Sequence, residues 1–181
     1  MSDPRHSRPE PKELMEFLPD ESLLREELVR AMRRIARIPR TEAETREYLR
    51  QRKLPEISVE SIIDTLKQEG FLDDARFAKG YVRFRLGQGY GPARIRRELR
   101  DKGVTGSAAD FAIAAAREDR DELEILRNVL AKRVRVKGEP REPRELKNLG
   151  TFLERRGFDY NLVREELEVY FDRIKNGGGK S

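Results

Sequence analysis

Apolar residues return every third or fourth position through most of this chain: Leu24, Leu28, Ala31, Met32 and Ile35, then Phe77, Tyr81 and Phe84, then Leu123, Leu126 and Leu130. That period places one face of a helix against a core, and no alternating strand pattern competes with it. The ends are marked too. Thr41 and Glu44 have capping-box spacing, Ser58 is placed to cap the helix carrying Ile62, Ile63 and Leu66, and Gly70, Gly103 and Gly157 stand where helices stop. The pattern predicts nine helices, over 21–37, 41–53, 59–69, 74–87, 92–102, 106–117, 119–135, 142–156 and 160–174.

Three of these, the second of each consecutive triplet, end alike. Tyr48-Leu-Arg-Gln-Arg-Lys-Leu54, Glu98-Leu-Arg-Asp-Lys-Gly-Val104 and Phe152-Leu-Glu-Arg-Arg-Gly-Phe158 align Leu49, Leu99 and Leu153 at intervals of 50 and 54 residues. Each stop is followed by an apolar residue able to fold back on its helix, and then by a third helix. The fold class expected is therefore all-α: three tandem three-helix repeats in an elongated, curved array, each burying a small core against its neighbour. The boundaries read as a disordered leader over 1–19, repeats over 20–70, 71–117 and 118–175, and a disordered tail over 176–181. The leader holds Pro4, Pro9, Pro11 and Pro19 among charges, and the tail is Gly-rich.

Composition narrows the chemistry. The chain of 181 residues is 40% charged and 36% hydrophobic, with 39 Lys and Arg against 34 Asp and Glu, a net charge of +5. This suits several small cores and favours an anionic partner. With no cysteine and one histidine, His6 in the leader, thiolate nucleophiles, disulfides and Cys/His zinc sites are excluded. No catalytic set and no cofactor or metal site is expected. Nothing approaches the roughly 18 uninterrupted apolar residues of a membrane-crossing helix, so a soluble, cytoplasmic protein is expected.

Residues 87–92, GQGYGP, raise the possibility of a phosphate loop. A dinucleotide fingerprint needs a third glycine where Pro92 stands and a strand where Phe77–Phe84 reads as helix, and the Lys and hydroxyl of a P-loop are absent. A turn fits better: Gly87 or Gly89 takes the left-handed conformation and Pro92 opens the next helix. The N–H groups after Gly91 remain candidates for a nucleic-acid phosphate. Tyr90 stands among arginines, placed either to stack on a base or to pack into the neighbouring repeat.

Positive charge concentrates around this turn. From Arg76 to Lys102 the acidic residues opposing nine Lys and Arg after the helix start are Glu98 and Asp101. Ile95 and Leu99 define a buried face, Arg96, Arg97 and Arg100 an outer stripe, and Arg94 a flank paired in register with Glu98. The binding face expected comprises Arg83, Arg85, Arg94, Arg96, Arg97 and Arg100. A second basic run, Lys132, Arg133, Arg135 and Lys137, is accounted for by the macrodipole of a helix end. The pair Asp73-Asp74 reads as a helix cap and first-turn acid rather than a metal site.

The stretches Gly70-Phe-Leu-Asp-Asp-Ala-Arg-Phe-Ala78 and Gly89-Tyr-Gly-Pro-Ala-Arg-Ile-Arg-Arg-Glu-Leu-Arg-Asp-Lys-Gly-Val104 resemble the signature of the bacterial RecX family. Pro39–Arg50 and Phe152–Phe158 resemble its first- and third-repeat motifs, and the likeness spans about residues 22 to 172. It departs at Lys53-Leu54, where the family has a glycine. The resemblance implies a non-enzymatic regulator, usually an inhibitor, of the RecA recombinase, binding in the groove of the RecA filament on single-stranded DNA and modulating ATPase and strand exchange. It also implies a monomer, with single- and double-stranded DNA as further partners. The competing reading is a stand-alone, sequence-nonspecific nucleic-acid-binding protein.

Overall fold

The computed structural model describes residues 21–119, 121–140 and 142–177, and among them every regular element is helical. The helices are α1 (Glu21–Arg37), α2 (Glu42–Gln51), α3 (Glu56–Gln68), α4 (Asp74–Gly87), α5 (Pro92–Asp101), α6 (Ser107–Asp119), α7 (Glu122–Lys137), α8 (Pro143–Arg155) and α9 (Tyr160–Gly177). The all-α expectation holds. Most of the expected tail lies outside the described residues, but α9 runs through 176 and 177, where the tail was expected to begin. The expected leader also lies outside them.

The helices pack in consecutive threes. Ala31 and Ile35 of α1, Leu49 of α2 and Val59, Ile62, Ile63 and Leu66 of α3 share one core. Ala78, Val82 and Leu86 of α4, Ile95 and Leu99 of α5 and Ala109, Ala112 and Ile113 of α6 form a second. Leu126 and Val129 of α7, Leu153 of α8 and Val163 of α9 form a third, with Phe158 from the connecting turn. By compactness the chain divides at Asp74/Ala75, so the first core stands in one unit and the other two share the second. Ile125 explains the sharing: it packs against both of those cores.

The helix ends follow from local chemistry. Thr41 accepts from the Glu44 N–H at 3.1 Å while the Glu44 carboxylate accepts from the Thr41 N–H at 3.4 Å, the reciprocal capping box. Ser58 does not cap α3. The helix starts at Glu56 behind Pro55, whose fixed φ suits that position, and Ser58 Oγ is buried without a hydrogen-bond partner among the described residues. After α5, the N–H groups of Gly103 and Val104 donate to the carbonyls of Arg100 and Leu99, both at 2.9 Å, with Gly103 at φ 81°. After α8, Gly157 (φ 92°) and Phe158 repeat the arrangement on Glu154 and Leu153. These are Schellman ends, and they bury Val104 and Phe158. At the corresponding place after α2, Lys53 takes φ 59° and donates to Arg50 O at 2.8 Å. The left-handed stop is therefore kept without the glycine, at the steric cost of a side chain in that region, but Leu54 is only half-buried where Val104 and Phe158 are buried.

Candidate anion-binding surface

The GQGYGP turn is built from backbone as much as from side chains. Gly89 takes φ 77°, Gly91 N-caps α5 and Pro92 opens it. The Gly91 N–H donates to Arg156 O at 2.8 Å and the Ala93 N–H to Gly157 O at 3.1 Å. The Ala93 N–H, one of those expected to meet a phosphate, is thus engaged by the end of α8 and does not present itself to one. The approach needs glycine on both sides: a Cβ on Gly91 would overlap the carbonyl of Gly157, and a Cβ on Gly157 would overlap Arg94.

Tyr90 sits half-buried in a cage of guanidinium groups, with Arg85 3.8 Å, Arg94 4.5 Å and Arg156 5.0 Å from the ring centroid. Of the two uses open to it in the sequence, packing is the one realised, through cation–π contact. Arg156 also donates from Nη1 to the carbonyls of Gln88 (3.1 Å) and Gly89 (3.0 Å). One residue of the α8 end therefore clamps the turn between α4 and α5.

Glu98 is the polar hub beside it. Its carboxylate accepts from Arg85 Nε at 2.7 Å and Nη2 at 2.5 Å, from Arg94 Nε at 2.9 Å and from Tyr81 Oη at 3.0 Å. Burial on its own would raise the pKa of this carboxyl; the hydrogen bonds from Arg85, Arg94 and Tyr81 outweigh it and hold the group at about 2. The same contacts raise Arg85, whose hydrogen bonds to Glu98 are the main cause. The phenol of Tyr81 is pushed up, by burial first and then by its bond to Glu98.

The six arginines expected to form one face take different positions. Arg85 and Arg94 point inward to Glu98 and Tyr90 and act as scaffold. Arg96 pairs with Asp110 at 2.9 Å in an exposed contact, and Arg97 and Arg100 lie exposed on the outer side of α5, without an ion pair among the described residues. Arg83 is exposed on α4 about 200° of helix turn from Arg85, so it faces away from α5 and is not brought beside Arg97 and Arg100. On α7, Lys132 and Arg133 line a cleft of about 630 Å³ with Gln88, Gly89, Phe152 and Arg156, and Arg133 stacks over Phe152 at 4.7 Å. A basic run that the macrodipole explained thus borders the same turn.

The acidic pair serves structure. α4 begins at Asp74, immediately after Asp73, and Asp74 Oδ1 accepts from the Glu42 N–H at 2.9 Å. Burial raises the Asp74 pKa. Among the described residues no group of three His, Cys, Asp or Glu could hold a metal ion, and no helix is long and apolar enough to cross a membrane. The clamp by Arg156 and the hub role of Glu98 were not foreseen. The signal for the first was Gly91, whose ordinary φ of −84° leaves a close backbone approach as the reason for glycine, whereas Gly157 is also required by its left-handed φ.

Comparison with known proteins agrees with this geometry. A model of the second three-helix domain of RecX matches residues 73–113, the segment running from the acidic pair through the turn and the basic helix. The regulatory protein RecX of Thermobifida fusca is 36% identical over 146 residues, covering 76% of this chain and 77% of that protein. The regulatory protein RecX of Chromohalobacter salexigens is 37% identical over 137 residues, covering 76% and 88%. The crystal structure of RecX from Lactobacillus salivarius shares the fold with a TM-score of 0.71 at 21% identity, over 81% of this chain and 97% of that one. With sequence likeness of this extent running through the turn and the helices that frame it, the chain belongs to the RecX family of regulatory proteins.

Proposed function

We propose that this protein is a non-enzymatic regulator of the RecA recombinase, inhibitory in its usual action, which binds the RecA filament on single-stranded DNA as a monomer and modulates ATPase and strand exchange. Family membership supports the regulatory role, and a sequence with no cysteine and one histidine supports the absence of catalysis. Work on such a filament places it in the cytoplasm.

The observation that carries the assignment of the surface is the exposed pair Arg97 and Arg100 on the outer side of α5, a helix fixed by the Glu98 hub and the Arg156 clamp. Arg96, Arg97 and Arg100 meet the filament directly. Their planar forks suit either carboxylates of RecA or phosphates of DNA. Arg85 and Arg94 hold that helix in place, and Arg83 makes a separate contact from the other side of α4. The three-helix packing supports repeats over 20–70, 71–117 and 118–175 as the working units.

The test is to add purified protein to RecA on single-stranded DNA and follow ATP hydrolysis and strand exchange. Loss of both is expected, and no effect at saturating concentration rejects the reading. Tight DNA binding without RecA, a steep salt dependence and no response of the filament would instead identify a stand-alone nucleic-acid-binding protein.

A further inference from the structure

The first unit contains a basic cleft that is separate from the surface described above. It has a volume of about 320 Å³ and is lined by Arg30, Arg33, Arg34, Arg37 and Arg40 with Ile38, and by no acidic side chain among the described residues. Arg30, Arg33, Arg34 and Arg37 recur on α1 at spacings of three and four, which puts their side chains one turn apart along the helix. Arg40 follows after the helix end.

These arginines differ in how far they are occupied. Arg30 is paired with Glu26 at 3.3 Å and Glu27 at 2.5 Å, and Arg40 Nη1 stands 3.8 Å from Glu44. Arg34 is held in position over the ring of Tyr48, 4.6 Å from its centroid. Yet Arg34 Nη1 and Arg40 Nε are both buried and donate to no acceptor among the described residues. Arg33 and Arg37 are exposed and have no ion pair there either. Buried guanidinium donors are normally satisfied, because desolvating them without an acceptor is unfavourable. Two in one cleft, beside two unpaired arginines, mark a place built to receive acceptor oxygens.

We infer that this cleft binds the phosphodiester backbone of a single nucleic-acid strand. A row of like charges one helical turn apart calls for a ligand whose negative charge also repeats. Phosphates supply it, and each offers a guanidinium fork two oxygens in one plane. Ile38, 57% exposed at the rim, gives a base an apolar surface to rest on. The site lies in the other unit from Arg97 and Arg100 and stands whether or not RecA is the partner.

The experiment uses the full chain and a fluorescent oligothymidylate without RecA, with anisotropy measured across a range of salt concentrations. The double variant Arg33→Gln/Arg37→Gln removes two exposed, unpaired charges and leaves the core alone. It is expected to weaken binding about tenfold and to reduce the slope of log affinity against log salt by about 1.4, the value for two phosphate contacts on a single strand. Arg34→Lys keeps the charge but loses the fork, so it is expected to weaken binding with the slope nearly unchanged; circular dichroism verifies the fold of both variants. Wild-type affinity and slope in the double variant would overturn the inference. So would displacement of the oligonucleotide by polyglutamate at equal charge concentration, which would identify the cleft as a site for acidic protein segments. The RecA ATPase assay fails or succeeds independently of either result.

Discussion

Replacing Gly91 by Ala tests whether the turn is held by backbone contact with the end of α8. The φ of Gly91 is −84°, a value alanine adopts without strain, so the substitution acts through space alone. The new Cβ would overlap the carbonyl of Gly157 and come within 2.5 Å of Phe158 N, and neither is a flexible side-chain end that can swing away. The contact has to open. Opening it forfeits the bonds from the Gly91 and Ala93 N–H groups, at about 0.5–1.5 kcal/mol each. It also separates Tyr90 from Arg156, a cation–π contact of about 0.5–1 kcal/mol at this exposure. The expected loss is about 1.5–4 kcal/mol, with the cost capped at the strength of the contact because the structure opens rather than tolerating the overlap. Urea denaturation followed by circular dichroism measures it, and amide exchange at residue 91 and Ala93 locates it, with exchange faster by about 30-fold for a loss of 2 kcal/mol. Gly87→Ala is the control: it lies in the same motif, with nothing within 4 Å of its Cβ, and is expected to be neutral or slightly stabilising. Unchanged stability and retained protection of both amides in Gly91→Ala would refute the argument.

Other expectations rest on separate features. Glu98 is held at about 2 in the folded chain against an ordinary value near 4.5, so its stabilising contribution is complete above about pH 4.5 and is lost as pH falls towards 2; its size is on the order of 3 kcal/mol. Glu98→Gln should lower stability at pH 7 and flatten the acid limb of a stability-against-pH profile, and a profile parallel to wild type would contradict the hub role. Lys53→Gly relieves a left-handed lysine and should raise stability by about 0.5–1 kcal/mol, a shift of a few degrees in thermal melting; a lower melting temperature would count against it. Reversing Arg96, Arg97 and Arg100 to Glu should weaken filament binding while the melting temperature falls by no more than the Arg96–Asp110 contact explains, under about 1 kcal/mol. Leu99→Asp, at a fully buried position, should instead cost more than about 4 kcal/mol and lose helicity on mild heating.

Much of the local structure was already written in the order of residues. Helix periodicity needs only one apolar face, and capping and stopping need only neighbours within about four positions, so Thr41–Glu44, Gly103 and Gly157 were legible. Ser58 shows the limit. A hydroxyl before an apolar run resembles a cap, but Pro55 starts the helix earlier and carries Ser58 into its buried side. Arg83 shows another: adjacency in a charged segment says nothing about which side of α4 it occupies.

What the sequence determined by itself is the all-helical class, the threefold recurrence of the helix ends and the basic character of the segment around GQGYGP, because each depends on contacts between near neighbours. What only the tertiary structure decided is how those charges are used. Arg85 is turned inward by Glu98 across the glycine turn, that turn is engaged by residues more than sixty positions away, and Arg83 is left on the side of α4 away from Arg85. A charge has the same formal value wherever it falls in the chain. Whether it is satisfied inside or available to a partner depends on which distant groups packing brings within hydrogen-bond reach, and that is settled by the fold.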